Sequence, residues 1–489
     1  MKVALVSSEV APFAKTGGLA DVAGALPKAL KQTGCDIKVF MPKYSTIDES
    51  KFELHYEYSI GEMPVRVGGI PRPVHIQQST LPGSTVDIYF IDCPHFFDRG
   101  KIYTADWDED ERFILFNKAV IETLQRLQWS PDVVHCNDWP TALIPLLLKD
   151  NYNWDSMFGK TASIMSIHNI GYQGLFPLET LSRAELRPEL FYPGGPLEFN
   201  GAVCFLKAGI LFSEIISTVS ETYAKEILTP EYGAGMDAVL GSREADLSGV
   251  LNGIDVDEWN PQTDKHLPHK YSMKNMEGKN KNKEYLLEHT GLQSRNDVPL
   301  IGIISRMVAQ KGFDLIAESV HELMGMDAQW IILGTGEERF ENLFRAIGQS
   351  LSHKAWAYIG FNNDLAHLIE GGADMFLMPS LYEPCGLNQM YSLRYGTVPI
   401  ARKTGGLADT VQDWHEYLSQ GSEVGDGFSF NDATGFALSS TVRRAIETFK
   451  DKKVWQKIQA NGMQRDFSWT ASAKKYVTLY ENAMAKRHA

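Results

Sequence analysis

Lys15-Thr16-Gly17-Gly18-Leu19-Ala20-Asp21 spells K-T-G-G-L-A-D, and the same seven letters return at residues 403–409. With ordinary residue usage, such a repeat arises by chance in roughly one chain of this length in a hundred or fewer. Each copy follows an apolar, strand-like run (residues 3–6 and 397–400) and opens a helix-like one. A Gly-Gly turn at that junction lets backbone come close to a ligand and presents helix N–H groups to an anion. Two similar turns, one of them without a ligand, is the plainer alternative. Either way, the repeat divides the chain into two α/β halves facing one site.

The pattern extends outward from both copies. In the first half, strands are expected at 2–7, 36–41, 86–91, 131–136, 162–168 and 214–220, with helices at 21–32, 110–128, 141–149, 201–211 and 221–228. Residues 44–82 read instead as short strands with Gly and Pro, an excursion from the alternation. Residues 259–282 are polar and Lys-rich (Lys270, Lys274, Lys279, Lys281), with Lys283 just beyond, and show no period. They read as a solvated interdomain connection. Alternation then resumes, with strands at 299–305, 329–334, 355–360, 373–379 and 397–401 and helices at 312–323, 337–348, 364–370, 388–395 and 407–417. A last helix at 471–485 has no following strand and is expected to cross back onto the first domain. Strands alternating with helices mean parallel, doubly wound sheets, with ligands beyond the carboxyl ends of the strands.

Composition narrows the function classes. A chain of 489 residues exceeds one hydrophobic core. A net charge of −14 argues against nucleic acid or acidic membranes as partners. The five cysteines show no C-x-x-C spacing, which fits reduced thiols and a cytoplasmic setting. No apolar run approaches a membrane span.

Neither copy of the repeat is a Walker loop or G-x-G-x-x-G. Lys15 is placed to meet a phosphate, with Gly17 and Gly18 offering N–H groups and Asp21 accepting from a sugar hydroxyl. Arg306 and Lys311, in S-R-M-V-A-Q-K-G, follow an apolar strand and are suited to neutralising a diphosphate. Glu383, in E-P-C-G-L, sits at a turn ahead of a helix, where a carboxylate holds sugar hydroxyls or balances charge at an anomeric carbon. Cys385 lacks a neighbouring base and reads as packing. Asp138 and His168 also stand at strand ends, and Asn252 lies where the domains join. Asp255-Val-Asp257 imitates a metal-binding D-x-D, but its place at a hinge favours a structural turn. No metal site is read from the sequence.

Together the segments K-T-G-G-L-A-D-V, H-x-N-D-W, H-N-I-G-Y-Q-G, L-N-G-I-D, S-R-x-x-x-Q-K-G, E-P-C-G-L and R-K-T-G-G-L-A-D-T-V resemble those of bacterial glycogen synthases and plant starch synthases, glycosyltransferase family five. The resemblance runs in order from residue 15 to 411. It implies the GT-B architecture: two Rossmann-like domains, 1–253 with 475–489, and 254–474, facing a deep cleft. It implies retaining transfer of glucose from ADP-glucose to the non-reducing end of an α-1,4-glucan, without a cofactor. By the same resemblance Lys15, Arg306 and Lys311 bind the ADP phosphates, Glu383, His168 and Asn252 contact the glucose, and Phe361 stacks on adenine. Cys385, Gly386 and Leu387 belong to the donor site with them. Pro140 stands where many relatives have His, Asn388 where some have Thr, and Tyr391 where a broader sugar-transferase pattern has Glu. A UDP-glucose enzyme and a glucan-binding scaffold of low activity remain the alternatives at this point.

Overall fold

The computed structural model describes residues 1–295 and 297–488. The chain divides into two compact units, Met1–Gly253 with Trp469–Ala489, and Ile254–Ser468.

The strands of the first unit are β1 (Lys2–Val6), β2 (Asp36–Pro42), β3 (His55–Tyr56), β4 (Met63–Val67), β5 (Ile70–Thr80), β6 (Asp87–Asp92), β7 (Val133–Asn137), β8 (Ala162–Ile167), β9 (Leu175–Phe176), β10 (Glu198–Phe199), β11 (Ala202–Cys204), β12 (Ile215–Thr218) and β13 (Leu247–Gly249). The large sheet runs β13-β12-β8-β7-β1-β2-β6-β5-β3. It is parallel from β13 to β6. The residue 44–82 excursion supplies its antiparallel edge, β3 and β4 against β5. The helix Trp469–His488 packs on this unit, where Tyr480 Oη meets His135 Nδ1 at 2.9 Å.

The second unit holds β14 (Leu300–Ile304), β15 (Gln329–Gly334), β16 (Ala355–Ile359), β17 (Met375–Met378), β18 (Val398–Arg402) and β19 (Phe428–Phe430). They form one parallel sheet in the order β16-β15-β14-β17-β18-β19. Alternate residues of β15 serve opposite cores: Trp330 and Ile332 pack on one face, Ile331 and Leu333 on the other. A sheet covered on both faces needs such unbroken apolar strands.

Several helices depart from the sequence pattern. The first begins at Gly18, not at residue 21, because glycines carry no apolar signal. Residues 202–204 form β11, paired with β9 and β10, so the next helix starts only at Phe205. The 312–323 segment breaks into Phe313–Glu318 and Val320–Gly325 at Ser319, whose hydroxyl donates back to the Leu315 carbonyl at 2.7 Å. The 407–417 segment divides likewise into Gly405–Thr410 and Trp414–Ser419, the latter capped by Asp413. Gly435–Phe449 and Lys452–Met463 are helices the pattern did not reveal.

The Lys-rich stretch is corrected most. It is no solvated linker: residues from Glu277 to Thr290 form a helix whose inner face carries Lys279 and Lys283, both buried. Lys279 Nζ donates to Thr397 Oγ1 at 2.6 Å and to the Glu370 and Gly371 carbonyls, which end the helix Asn363–Gly372. Burial pulls its pKa down to about 7. Lys283 pairs with Asp374 at 2.7 Å.

Candidate functional site

Strand order fixes where ligands meet each sheet. In the first unit the chain runs from β1 to β2 on one side and later returns to β7 on the other. In the second, β14 has β15 on one side and β17 on the other. At such a switch of direction the loops part and leave a crevice at the carboxyl ends of the strands.

The loop after β1 carries Lys15–Gly18, all four residues exposed. Lys15 Nζ holds both carboxylate oxygens of Asp21, at 2.6 and 2.8 Å. Asp21 is thus the lysine's partner in this structure as well as the expected sugar contact. A Cβ added at Gly17 or Gly18 would meet nothing within 4 Å, and neither residue has positive φ. Nothing in the protein itself demands glycine there.

Glu9, absent from the sequence reading, organises this loop. Its buried carboxylate accepts from the Gly17 N–H at 3.2 Å, the Thr16 hydroxyl at 2.7 Å, the Thr16 N–H and the Tyr103 hydroxyl at 2.7 Å. The Gly17 N–H, expected to face an external anion, is therefore engaged by an internal one. Gly18, first residue of the helix, retains an N–H that no helical carbonyl can satisfy. The clue in the sequence was position: Ser7-Ser8-Glu9 is polar directly after an apolar strand.

The loop after β7 adds Asp138, held at φ 55° and ψ 179°. A positive φ at a non-glycine residue costs roughly 1–3 kcal/mol and persists only where neighbours impose it. Here Asp138 Oδ1 accepts the His168 N–H at 2.7 Å. Burial pushes the Asp138 carboxyl up to about 7, and the Glu9 charge adds to the effect. His168 Nε2 lies 2.9 Å from Asn137 Oδ1. The Asn137 amide nitrogen is spent on the Val6 and His135 carbonyls, so its oxygen faces the ring and the imidazole is assigned as the Nε2–H tautomer. Burial lowers the His168 pKa to about 4, leaving a neutral ring at neutral pH. Pro140 offers its carbonyl to Asn117 Nδ2 at 2.7 Å. Asn252 is buried, and its Oδ1 has no partner among the described residues.

In the second unit Arg306 and Lys311 follow β14, and Glu383 to Leu387 follow β17. Arg306, Lys311, Glu383, Gly386 and Leu387 line one cavity of about 210 Å³, together with Ser305, Ser380 and Asn388; Cys385 does not reach it. Arg306 is exposed. Lys311 Nζ bonds Glu383 Oε2 at 2.6 Å, and Ser380 Oγ donates to the same oxygen at 3.0 Å. Gly312, at φ +77°, lets the Lys311 turn press on Pro379, since a Cβ would lie 1.9 Å from its carbonyl oxygen. Gly386, at φ +71°, turns the chain into the helix Asn388–Tyr395. Asn388 Nδ2 donates to the Ile304 carbonyl at 3.0 Å, which ties that helix to the end of β14. Cys385 is buried, with its sulfur as a thiol. Phe361, after β16, is 87% exposed and lies outside the cavity lining. Tyr391 points elsewhere and stacks on Trp259 at 3.8 Å.

The second K-T-G-G-L-A-D copy builds the wall behind Glu383. A Cβ at Gly405 would lie 2.0 Å from the Glu383 carbonyl oxygen, and one at Gly406 would lie 2.0 Å from that of Cys385. The Gly406 N–H donates to the Glu383 carbonyl at 3.1 Å. Arg402, just before it, donates through Nε to the Ser380 carbonyl at 2.9 Å. Lys403 pairs with Glu416. Asp255 Oδ1 accepts the Asp257 and Glu258 N–H groups, so the D-x-D is a local turn.

No helix among the described residues is long and apolar enough to cross a membrane. The starch synthase catalytic domain family matches residues 2–242, and glycosyl transferases group 1 matches residues 287–457. Glycogen synthase of Desulforudis audaxviator is 45% identical, covering 99% of this chain and 97% of its own. That of Thermotoga maritima is 45% identical over 99% of each chain. The catalytic domain of starch synthase IV from Arabidopsis thaliana, solved with ADP and acarbose, is 33% identical, superposes with a TM-score of 0.89 and covers 99% of both chains. The chain therefore belongs to the glycogen and starch synthase family, glycosyltransferases of GT-B fold that extend α-1,4-glucans from a nucleotide-sugar donor.

Proposed function

We propose that this synthase uses ADP-glucose, transferring glucose with retention to the non-reducing end of an α-1,4-glucan and releasing ADP. The observation that carries the reading is the cavity at the β14–β17 switch. Two cations, Arg306 and Lys311, and a helix N-terminus converge there around one carboxylate, Glu383. Cations plus backbone N–H groups suit a diphosphate, and a carboxylate suits sugar hydroxyls.

In this mechanism Lys311 exchanges partners. Without donor it neutralises Glu383; with donor it turns to the phosphates and frees Glu383 for the glucosyl unit. As the bond from C1 to the phosphate oxygen breaks, Arg306 and Lys311 absorb the developing charge. The acceptor hydroxyl attacks C1 on the same face, and its proton passes to the departing phosphate oxygen. The first unit, Met1–Gly253 with Trp469–Ala489, serves the acceptor side and adds Lys15 and the Gly18 N–H for the phosphates. Neutral His168 and Asn252 serve the glucose through hydrogen bonds, and Phe361 stacks on adenine. The second unit, Ile254–Ser468, forms the nucleotide-sugar domain. The setting is cytoplasmic, consistent with five free cysteines.

Steady-state kinetics with ADP-glucose and UDP-glucose test the donor. ADP-glucose should win by at least about tenfold in kcat/KM, a difference of about 1.4 kcal/mol in transition-state stabilisation. A UDP-glucose preference overturns the assignment. Lys311→Ala should lose about 10³-fold in kcat with its circular dichroism unchanged; near-normal turnover removes Lys311 from the site.

A further inference from the structure

We propose that Asp264, His266 and His367 form a binding site for a zinc-class divalent transition-metal ion, separate from the donor cavity. One donor atom from each residue falls within 4.8 Å of the other two. Asp264 and His266 share one turn, where Asp264 Oδ1 accepts the His266 N–H at 2.9 Å. His367 comes from the facing helix Asn363–Gly372. Its Nδ1 is 2.8 Å from Asp264 Oδ2. An ion with bonds of about 2.1 Å keeps adjacent ligands roughly 3 Å apart, so this pair already has the spacing of two neighbouring ligands. Two imidazoles and one carboxylate select zinc and its neighbours over magnesium or calcium.

The surroundings favour a metal over a plain hydrogen bond. His367 is fully buried, yet its Nε2 has no partner among the described residues. The Tyr395 hydroxyl donates to Asp264 Oδ2 at 2.6 Å, the outer-shell contact that orients a ligating carboxylate. The His367 ring is clamped flat against Trp259 at 3.9 Å and 6°, and Trp259 in turn stacks on Tyr391. Access runs past His266, whose side chain is 17% exposed and whose Nδ1 meets the largely exposed Asp364 at 2.8 Å. Binding asks His266 to rotate inward from Asp364. The ring coordinates through Nδ1 as its neutral Nε2–H tautomer, so the Nδ1 proton now given to Asp264 is released and one is taken up at Nε2 as the metal–nitrogen bond forms. The bound ion then fastens the Asp264–His266 turn to the helix behind it, and none of these three side chains lines the donor cavity.

The full chain, stripped with chelator and titrated with zinc chloride by calorimetry, should bind one equivalent with a Kd of about 1 μM or tighter. His266→Ala, at a partly exposed position, should weaken this at least about 100-fold, and Tyr395→Phe about tenfold. Cobalt(II) at the same site should show visible ligand-field bands, and zinc should alter tryptophan emission in the parent but not in Trp259→Phe. Magnesium should do neither. No binding by the stripped chain overturns the proposal. Equal binding by the parent, His266→Ala and His367→Gln also overturns it, by placing the ion elsewhere.

Discussion

The two K-T-G-G-L-A-D copies share every letter and differ in what surrounds them. At residues 15–21 the lysine and both glycines are exposed, and the helix begins at the second glycine. At residues 403–409 the glycines are buried, and the helix begins at the first. A methyl group fits freely on either glycine of the first copy and collides with a carbonyl oxygen on either glycine of the second. The lysines diverge too, one held by Asp21 in the first turn of the helix its own motif opens, the other by Glu416 on the separate helix Trp414–Ser419. In one copy glycine faces open space; in the other it leaves room for the backbone that carries Glu383. A repeated motif is thus a statement about local chain geometry, and neighbours decide its use.

The sharpest way to break this comparison is Gly406→Ala. Displacing the Cys385 carbonyl should cost about 3 kcal/mol and lower the Tm of the second unit by about 6–12 °C. Activity should fall with it, because Glu383 moves. A normal Tm, read by calorimetry, would mean the wall is not tight. The lysine pair comes next. Lys15→Ala should lose about 10²-fold in kcat/KM, the scale of one removed charge at a developing anion, while Lys403→Ala stays within about threefold. Equal losses would restore one shared role. A smaller effect concerns the first site alone. The raised Asp138 pKa means the folded state holds a proton there that the unfolded chain sheds near pH 4. Stability from this group is full below about pH 4 and is lost as pH rises through about 7. Asp138→Asn keeps the acceptor for the His168 N–H and removes the titration. Its Tm relative to the parent should therefore rise between pH 5 and pH 8; a constant difference would exclude ionisation of Asp138 in that range.

Legibility followed the same physics. Strands such as Gln329–Gly334 were plain because both faces are buried and every residue is apolar or nearly so. The helix Glu277–Thr290 was hidden because the first two turns of its inner face carry Lys279, Asn282 and Lys283, with Leu286 and Leu287 following only later. The ammonium and amide groups of the first three find carbonyl, hydroxyl and carboxylate partners inside the protein. Polar letters there mark satisfied burial, which spacing cannot distinguish from solvent exposure. Phe428–Phe430 is too short to show alternation. Around the candidate site, Arg306, Lys311 and Glu383 stood out because charged residues directly follow apolar strands. Glu9 follows β1 in the same way, but two of its partners are main-chain N–H groups that no letter advertises and a third, the Tyr103 hydroxyl, is far away in sequence. The ring stack of Trp259, His367 and Tyr391 joins residues far apart in sequence, and only the folded chain brings it together.

The contrast between an open and a packed Gly-Gly turn rests most directly on Gly18→Ala. Alanine should leave the Tm unchanged or raise it, since it gains up to about 1 kcal/mol over glycine in a helix. Its methyl group should nevertheless obstruct the donor, lowering kcat/KM for ADP-glucose by about tenfold or more, the equivalent of about 1.4 kcal/mol. Parental kcat/KM in a stably folded Gly18→Ala enzyme would contradict the claim that the first copy is open because a ligand occupies it.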